Sequence, residues 1–531
     1  MDKKNFLLNF EFINRNDYLF FAILFSIILF KTFPHNWTGN EYAYYGLSHY
    51  AFKPEIFNEF YTSHHETNYR AIFTYVVGFF IHNFGYDNVW FVSRILMAGL
   101  YSIAILFLLK TFNLRPLSAV LSLIFFLILG EGYFAGFNLF NSFRPAIISY
   151  ILILFSFCFI VRKNFNISLI LMIVATYIHF QIGLFWSAFI IFYDFLNRKN
   201  IKSSFLFLLF IALCAFPIIY ELFSSNYLNK SNINYLEFNK GFTERNAHHT
   251  RPFNESGQLF GKWLYGTIFI TFNLTILAVI KLFTKNKDIF LTWIIILNLY
   301  LLVMLLTVYF DSNLSLTKFF VFRPDSLIFF LTLLFLCNFF FSRYLLLNVY
   351  SKFITLLSIL LLTSIPYLFG IKYNIFNAVK IISYKIHLYK NINIKVSDIL
   401  EPHEKQLLIW INGNTNKDDV IMFERGRNYL NKKYPNGEPV GSILISSGWE
   451  VISKRAAYVT NKNAGTSIPE FMQWKNRMDE KMGIYGGKCS VLKNIPVNYI
   501  VSFSEVSRNN ITKCNVPIIN FENYSIFMVS K

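Results

Sequence analysis

ISLILMIVATYIHFQIGLFWSAFIIFYDFL, residues 167–196, is the stretch that decides the fold. It contains one acid, Asp194, and one histidine, His179, in an otherwise apolar run. A helix crossing a bilayer needs about 20 apolar residues, so the run is too long for one crossing. "YIHFQIG" interrupts it, and we read two short helices split near Phe180. Arg162 and Lys163 precede the pair and Arg198, Lys199 and Lys202 follow it. A pair that goes out and comes back leaves those cations on one side of the membrane, where basic loops are retained.

The rest of the chain extends this pattern. Of 531 residues, 55% are hydrophobic and 15% charged, with a mean hydropathy of +0.42. That is too apolar for a protein whose whole surface meets water. Further apolar runs lie at 18–34, 89–109, 117–134, 145–161, 204–223, 262–283, 288–310, 324–341 and 350–372. With the 167–196 pair they predict a polytopic α-helical membrane protein of about eleven crossings. The first run follows Lys3, Lys4 and Arg15 and lacks a small-x-small cleavage site, so it reads as an uncleaved first helix. The connections holding Lys110 and Arg115, Arg162 and Lys163, Arg198 to Lys202, Lys281 to Lys287, and Arg343 then all share one side. This places the N-terminus in the cytoplasm and the chain after about residue 375 outside an inner membrane. The apolar but short segment 71–85 would scramble that pattern as a crossing and is read as an interfacial or re-entrant helix outside. The net charge of +19 is accounted for by these loops and the membrane surface, not by nucleic acid.

Residues 1–390 thus form the membrane domain, with long outer loops at 35–88 and 224–261, and residues 391–531 form a C-terminal domain. "EPHEKQLLIWINGN" and "SIPEFMQWKNRMDEKMG" read as helices there, and "DDVIMFE", "VNYIVSF" and "YSIFMVS" as strands, giving a small α/β domain. Cys158, Cys214 and Cys337 lie in apolar runs, whereas Cys489 and Cys514 both fall in this domain and can pair if it is exported.

Polar residues that could carry chemistry gather on the outer side. Glu41, in "PHNWTGNEYAYYGLSHY", is an acid beside apolar walls, where its environment can tune it toward a general base. Arg144 in "NSFRPAIIS" and Arg323 in "FFVFRPDSL" share a Phe-Arg-Pro start to a helix, suited to pairing with a phosphate and equally to snorkelling beside an N1 proline. His179 is ionisable at membrane depth, which marks either a functional site or a neutral ring bonded to a neighbouring helix. The doublets His64-His65 and His248-His249 are weak metal signals, because adjacent side chains diverge. Around the second doublet, Arg245 and Arg251 suit an anionic ligand. In the C-terminal domain, Lys454-Arg455 and "WKNR" from Trp474 read as substrate contacts or as a solvated basic face.

A first helix, an early loop acid, short helix pairs and an exported α/β domain together resemble the GT-C glycosyltransferase superfamily. "TGNEYAYYGLSHY", "FRPAI", "YIHFQIG", "RNAHHTRP", "FVFRPDS", "ISKRAAYVTNK" and "FMQWKNRM" more narrowly resemble a bacterial domain-of-unknown-function family with that architecture. Ala247 stands where that family has proline before its two histidines. The resemblance implies transfer of a sugar from a polyprenyl-phosphate carrier to a saccharide, lipid or protein acceptor. Glu41 would be the base, Arg144 and Arg323 would bind phosphate, and His179, Arg245, His248 and His249 would contribute to substrate binding. Members usually carry an acidic pair in the first loop; Asn40-Glu41 here favours a single base over a divalent metal ion, which remains an alternative. Two other readings stand beside it: a flippase for a lipid-linked saccharide, and a non-catalytic scaffold of an envelope polysaccharide assembly. A flippase would need polar residues through the membrane and repeated halves; a scaffold would depend on its C-terminal surface.

Overall fold

The computed structural model describes residues 15–32, 39–56, 70–134, 139–140, 142–223, 235–246, 250, 252–253, 256–259, 261–283, 288–311, 320–344, 400, 402–424, 448–460 and 468–529. Among the described residues the first part is mainly helical: α1 (Arg15–Thr32), α2 (Gly39–Phe52), α3 (Ala71–Phe84), α4 (Tyr86–Thr111), α5 (Pro116–Leu129), α6 (Pro145–Val161), α7 (Phe165–Ile178), α8 (Phe180–Arg198), α9 (Ile201–Phe223), α10 (Tyr235–Arg245), α11 (Lys262–Phe283), α12 (Ile289–Phe310) and α13 (Asp325–Tyr344).

Six of these, α4, α8, α9, α11, α12 and α13, are long and apolar enough to cross a membrane. The expected eleven crossings are not reached among the described residues. α3, α5, α6 and α7 are apolar but have only 14, 14, 17 and 14 residues; at 1.5 Å per residue a 14-residue helix rises about 21 Å against a hydrocarbon core of about 30 Å. α1 carries Arg15, Asp17 and Lys31 near its ends, and the run 350–372 lies outside the described residues.

The split within 167–196 falls where the interruption predicted it. α7 ends at Ile178 and α8 begins at Phe180, with His179 between them in extended backbone. The two helices meet where Gly183 approaches the backbone of Thr176; a Cβ on Gly183 would lie 2.4 Å from Thr176 N, so only glycine fits. α2 and α3 touch in the same way: a Cβ on Gly78 would lie 2.1 Å from the Ser48 carbonyl oxygen.

Lipid tails are as apolar as the helices, so close packing and interhelical hydrogen bonds hold such a bundle together. Phe157 and Trp293 lie 4.6 Å apart between ring centroids, and Phe112 and Phe290 lie 4.2 Å apart. The Ser156 and Ser168 hydroxyls are 2.9 Å apart between α6 and α7. Asn298 donates to Thr332 (2.9 Å) and accepts from the Tyr133 hydroxyl (2.6 Å), fastening α12 to α13. Bonds of this kind contribute about 0.6–2 kcal/mol each. Following the chain direction, Lys110, Arg162 and Arg198 gather at one end of the bundle, where Lys110 meets Asp17 at 2.6 Å and Arg198 pairs with Asp194.

The C-terminal part is the mixed α/β unit its pattern predicted: α14 (Pro402–Asn414), β1 (Val420–Phe423), α15 (Gly448–Ser453), β2 (Ala456–Ala457), α16 (Ile468–Tyr485), β3 (Tyr499–Ser502), α17 (Glu505–Thr512), β4 (Ile518–Asn520) and β5 (Ser525–Met528). Strand order is β2-β1-β3-β5-β4. β1 runs parallel to β2 and β3, and β5 antiparallel to β3 and β4. A strand covered on both faces should be continuously apolar, and "VIMF" of β1 is buried at all four positions. The strands at Ala456 and Ile518 and the helices at Gly448 and Glu505 are too short to show a period in sequence. Cys489 and Cys514 form a disulfide.

This unit sits on the bundle end opposite the basic connections. α15 packs on α2, and α16 on α10. Phe238 meets Phe471 edge-on at 5.3 Å, and Lys475 bonds Glu237 at 2.8 Å.

Candidate active site

Three helix starts meet in one cluster of side chains. α6 begins at Pro145 with Arg144 as its N-cap, α8 begins after His179, and α13 begins two residues after Arg323. A helix N-terminus directs unpaired N–H groups and positive potential outward, so three of them together favour an anion. Side chains join the three. Arg323 donates to Gln181 Oε1 and lies 3.4 Å from His179 Nε2. Its carbonyl accepts the Tyr150 hydroxyl of α6 at 2.7 Å, and its guanidinium sits 4.3 Å from the Phe320 ring centroid. Arg144 and His179 are buried. The charges of Arg323, Arg70 and Arg144 all act on the His179 ring, and Arg70 lies 4.7 Å over Tyr44. Arginines in this number suit bidentate recognition of phosphate.

Glu41 lies against the same cluster, fully buried in α2. Arg94 Nη2 donates to both of its oxygens, at 3.0 and 2.7 Å, and the Phe143 N–H donates to Oε1 at 3.2 Å. Arg94, itself fully buried, also donates to the Thr32 carbonyl and stacks 4.3 Å over Trp90. Glu41 therefore ties α2, α4 and the residue before Arg144 into one unit. Both oxygens accept hydrogen bonds, which holds the carboxylate in a fixed position against the residue before Arg144.

Two other carboxylates approach the site. Asp325 accepts from the Phe134 N–H (2.9 Å) and the Ser326 hydroxyl (3.1 Å). Glu131, just beyond α5, meets Lys31 at 2.6 Å. Arg70, Arg94, Gln181 and Glu131 were missed in the sequence. Arg94 did carry a signal, a cation inside an apolar run.

Arg245 ends α10 with its guanidinium 5.0 Å from the Trp474 ring of the C-terminal unit. His248 and His249 lie outside the described residues, as do His64 and His65. Among the described residues, no group of three or more His, Cys, Asp or Glu side chains is arranged to hold a metal ion. In the C-terminal unit, Arg455 is bonded to Thr415 and Ser453. The hydrogen bonds from Lys475 to Glu237 and Asp479 hold its ammonium above the ordinary lysine value. No protein-family model matches the chain, and no curated protein shows significant similarity to it.

Proposed function

We propose that this chain is a membrane glycosyltransferase of GT-C type. It takes a sugar from a polyprenyl-phosphate carrier and transfers it to a saccharide, lipid or protein acceptor on the outer face of the cytoplasmic membrane. The observation that carries this reading is the convergence of Arg144, His179 and Arg323, from three separate helix starts, beside the buried carboxylate Glu41. When the bond from the anomeric carbon to phosphate breaks, negative charge builds on the departing phosphate, and fixed guanidiniums stabilise it. The attacking hydroxyl must also lose a proton to a carboxylate. Glu41 positions Arg144 through the Phe143 N–H in this account. The Cys489–Cys514 disulfide and the clustering of basic connections at the far end agree with an exported C-terminal domain and a cytoplasmic N-terminus.

The scaffold reading is favoured by one observation, the Glu41–Arg94 pair, which is what a purely structural carboxylate would also show. The test is donor cleavage by the purified full chain in vesicles containing radiolabelled hexosyl phosphopolyprenol. Arg144→Gln or Arg323→Gln should each lower the rate by about 10²–10³-fold, the usual loss on removing one fixed donor to a developing anion. A folded wild-type chain that leaves every such donor intact supports the scaffold.

A further inference from the structure

We propose that Glu131 is the proton acceptor in the transfer, an assignment that rests on the function proposed above. Glu131 lies between Gly130 and Gly132 just past α5, and its backbone has φ +68°, a conformation that residues with a Cβ rarely adopt. Strain of this kind persists where the surroundings impose it, and it clusters at functional sites. The side chain is 5% exposed. Oε1 meets Lys31, while Oε2 is buried with no hydrogen-bond partner among the described residues. A buried carboxylate oxygen without a donor is unfavourable, and a ligand hydroxyl is the group that would satisfy it.

A second buried group is unsatisfied. The Tyr101 hydroxyl is fully buried and also lacks a partner among the described residues. Glu131 and Arg144 both act electrostatically on Tyr101, and Glu131 acts on Arg144. An open carboxylate oxygen is complementary to an alcohol, whose O–H donates to Glu131 Oε2; the next residue, Gly132, packs against the start of α13, where an added Cβ would lie 3.1 Å from Asp325 Oδ2. The neighbouring acids are differently placed, since Glu41 is held by Arg94 and Phe143, and Asp325 by Phe134 and Ser326.

In the step, the acceptor oxygen forms the bond to the anomeric carbon and its proton passes to Glu131 Oε2. The anomeric carbon–oxygen bond to phosphate breaks, and its electron pair leaves on the phosphate facing Arg144 and Arg323.

The experiment uses the full chain in phosphatidylethanolamine–phosphatidylglycerol vesicles with radiolabelled hexosyl phosphopolyprenol and added saccharide, lipid and peptide acceptors. Glu131→Gln should lower kcat by about 100-fold or more while leaving the donor KM within about threefold, because the arginines hold the phosphate. Lys31→Met leaves the buried carboxylate without its cation, so its loss of kcat should be relieved as pH rises, whereas Glu131→Gln should stay inactive at every pH. Should Glu131→Gln fail to fold, the double variant Glu131→Gln/Lys31→Met removes both charges and must be equally inactive. Wild-type turnover by either Glu131 variant, or a loss in Lys31→Met that rising pH does not relieve, overturns the assignment and leaves the transferase standing. A wild-type chain that cleaves no donor overturns the transferase and the assignment with it.

Discussion

The C-terminal unit and the helical bundle both bury carboxylates, and they treat them differently. Glu424 accepts from the Ser502 hydroxyl (3.0 Å), the Phe503 N–H (2.6 Å) and the Ser504 N–H (2.8 Å) on one oxygen, and from the Ser504 and Ser507 hydroxyls (2.5 and 2.6 Å) on the other. Every donor is neutral, all come from the one segment Ser502 to Ser507, and the group closes the start of α17. In the bundle, Glu41 is held by a cation two turns into α4, and Glu131 keeps one oxygen without a donor among the described residues. A fully satisfied carboxylate specifies structure. A partly satisfied one in strained backbone is a place for a ligand.

The sharpest way to break this comparison is to remove a cation. Arg94→Met leaves Glu41 buried without its charge partner, and should destabilise the bundle by about 3–5 kcal/mol, read as an earlier unfolding transition in detergent. The double variant Arg94→Met/Glu41→Gln should recover most of that loss. Recovery of turnover as well as stability would confirm Glu41 as a positioning group and not the base. Next in size is the disulfide. Cys489 and Cys514 are 25 residues apart, and Cys489→Ser should lower the stability of the C-terminal unit by about 3 kcal/mol, seen as faster proteolysis of that unit in the full chain.

Glu424→Gln comes third. Placing an amide among five donors should lower stability by about 2 kcal/mol while donor cleavage at limiting enzyme stays unchanged; Glu131→Gln should do the reverse. Equal effects on both properties at both sites would erase the distinction. The smallest effect expected is at His49 of α2, 2.8 Å from the Tyr86 hydroxyl. Burial first, then the charges of His82 and Lys454, push its imidazole down to about 4. The folded value lies below the unfolded one, so its contribution is fully present above about pH 6.5 and is lost as pH falls toward 4. A loss of about 1 kcal/mol over that window, absent in His49→Gln, is the expected outcome.

Much of the bundle was legible because apolar period and helix punctuation are local. Pro145 and Pro324 marked two helix starts, and the interruption around His179 marked the third. The same residues carried Arg144, Arg323 and His179 into the site, so their convergence follows from helices that begin at one end. Glu41 was found as a group but not as a pair, because Arg94 is 53 residues away and only packing brings them together. Arg70 lies beside unpatterned loop sequence and gave no signal. Glu131 was hidden at the end of an apolar run, although an acid between two glycines is an unusual way to finish a helix. Among the described residues six helices are long and apolar enough to cross on their own, fewer than the eleven expected, because α3, α5, α6 and α7 are shorter than their apolar runs suggested and the run 350–372 lies outside the described residues.

The central claim is that Arg144 and Arg323 hold a lipid phosphate, and its most direct test is the affinity of the purified full chain for polyprenyl phosphate compared with uncharged polyprenol. The wild type should bind the phosphate at least about 100-fold more tightly, and the Arg144→Gln/Arg323→Gln double variant should lose that preference. Equal binding of the two lipids by the wild type, or a preference that survives in the double variant, would contradict it.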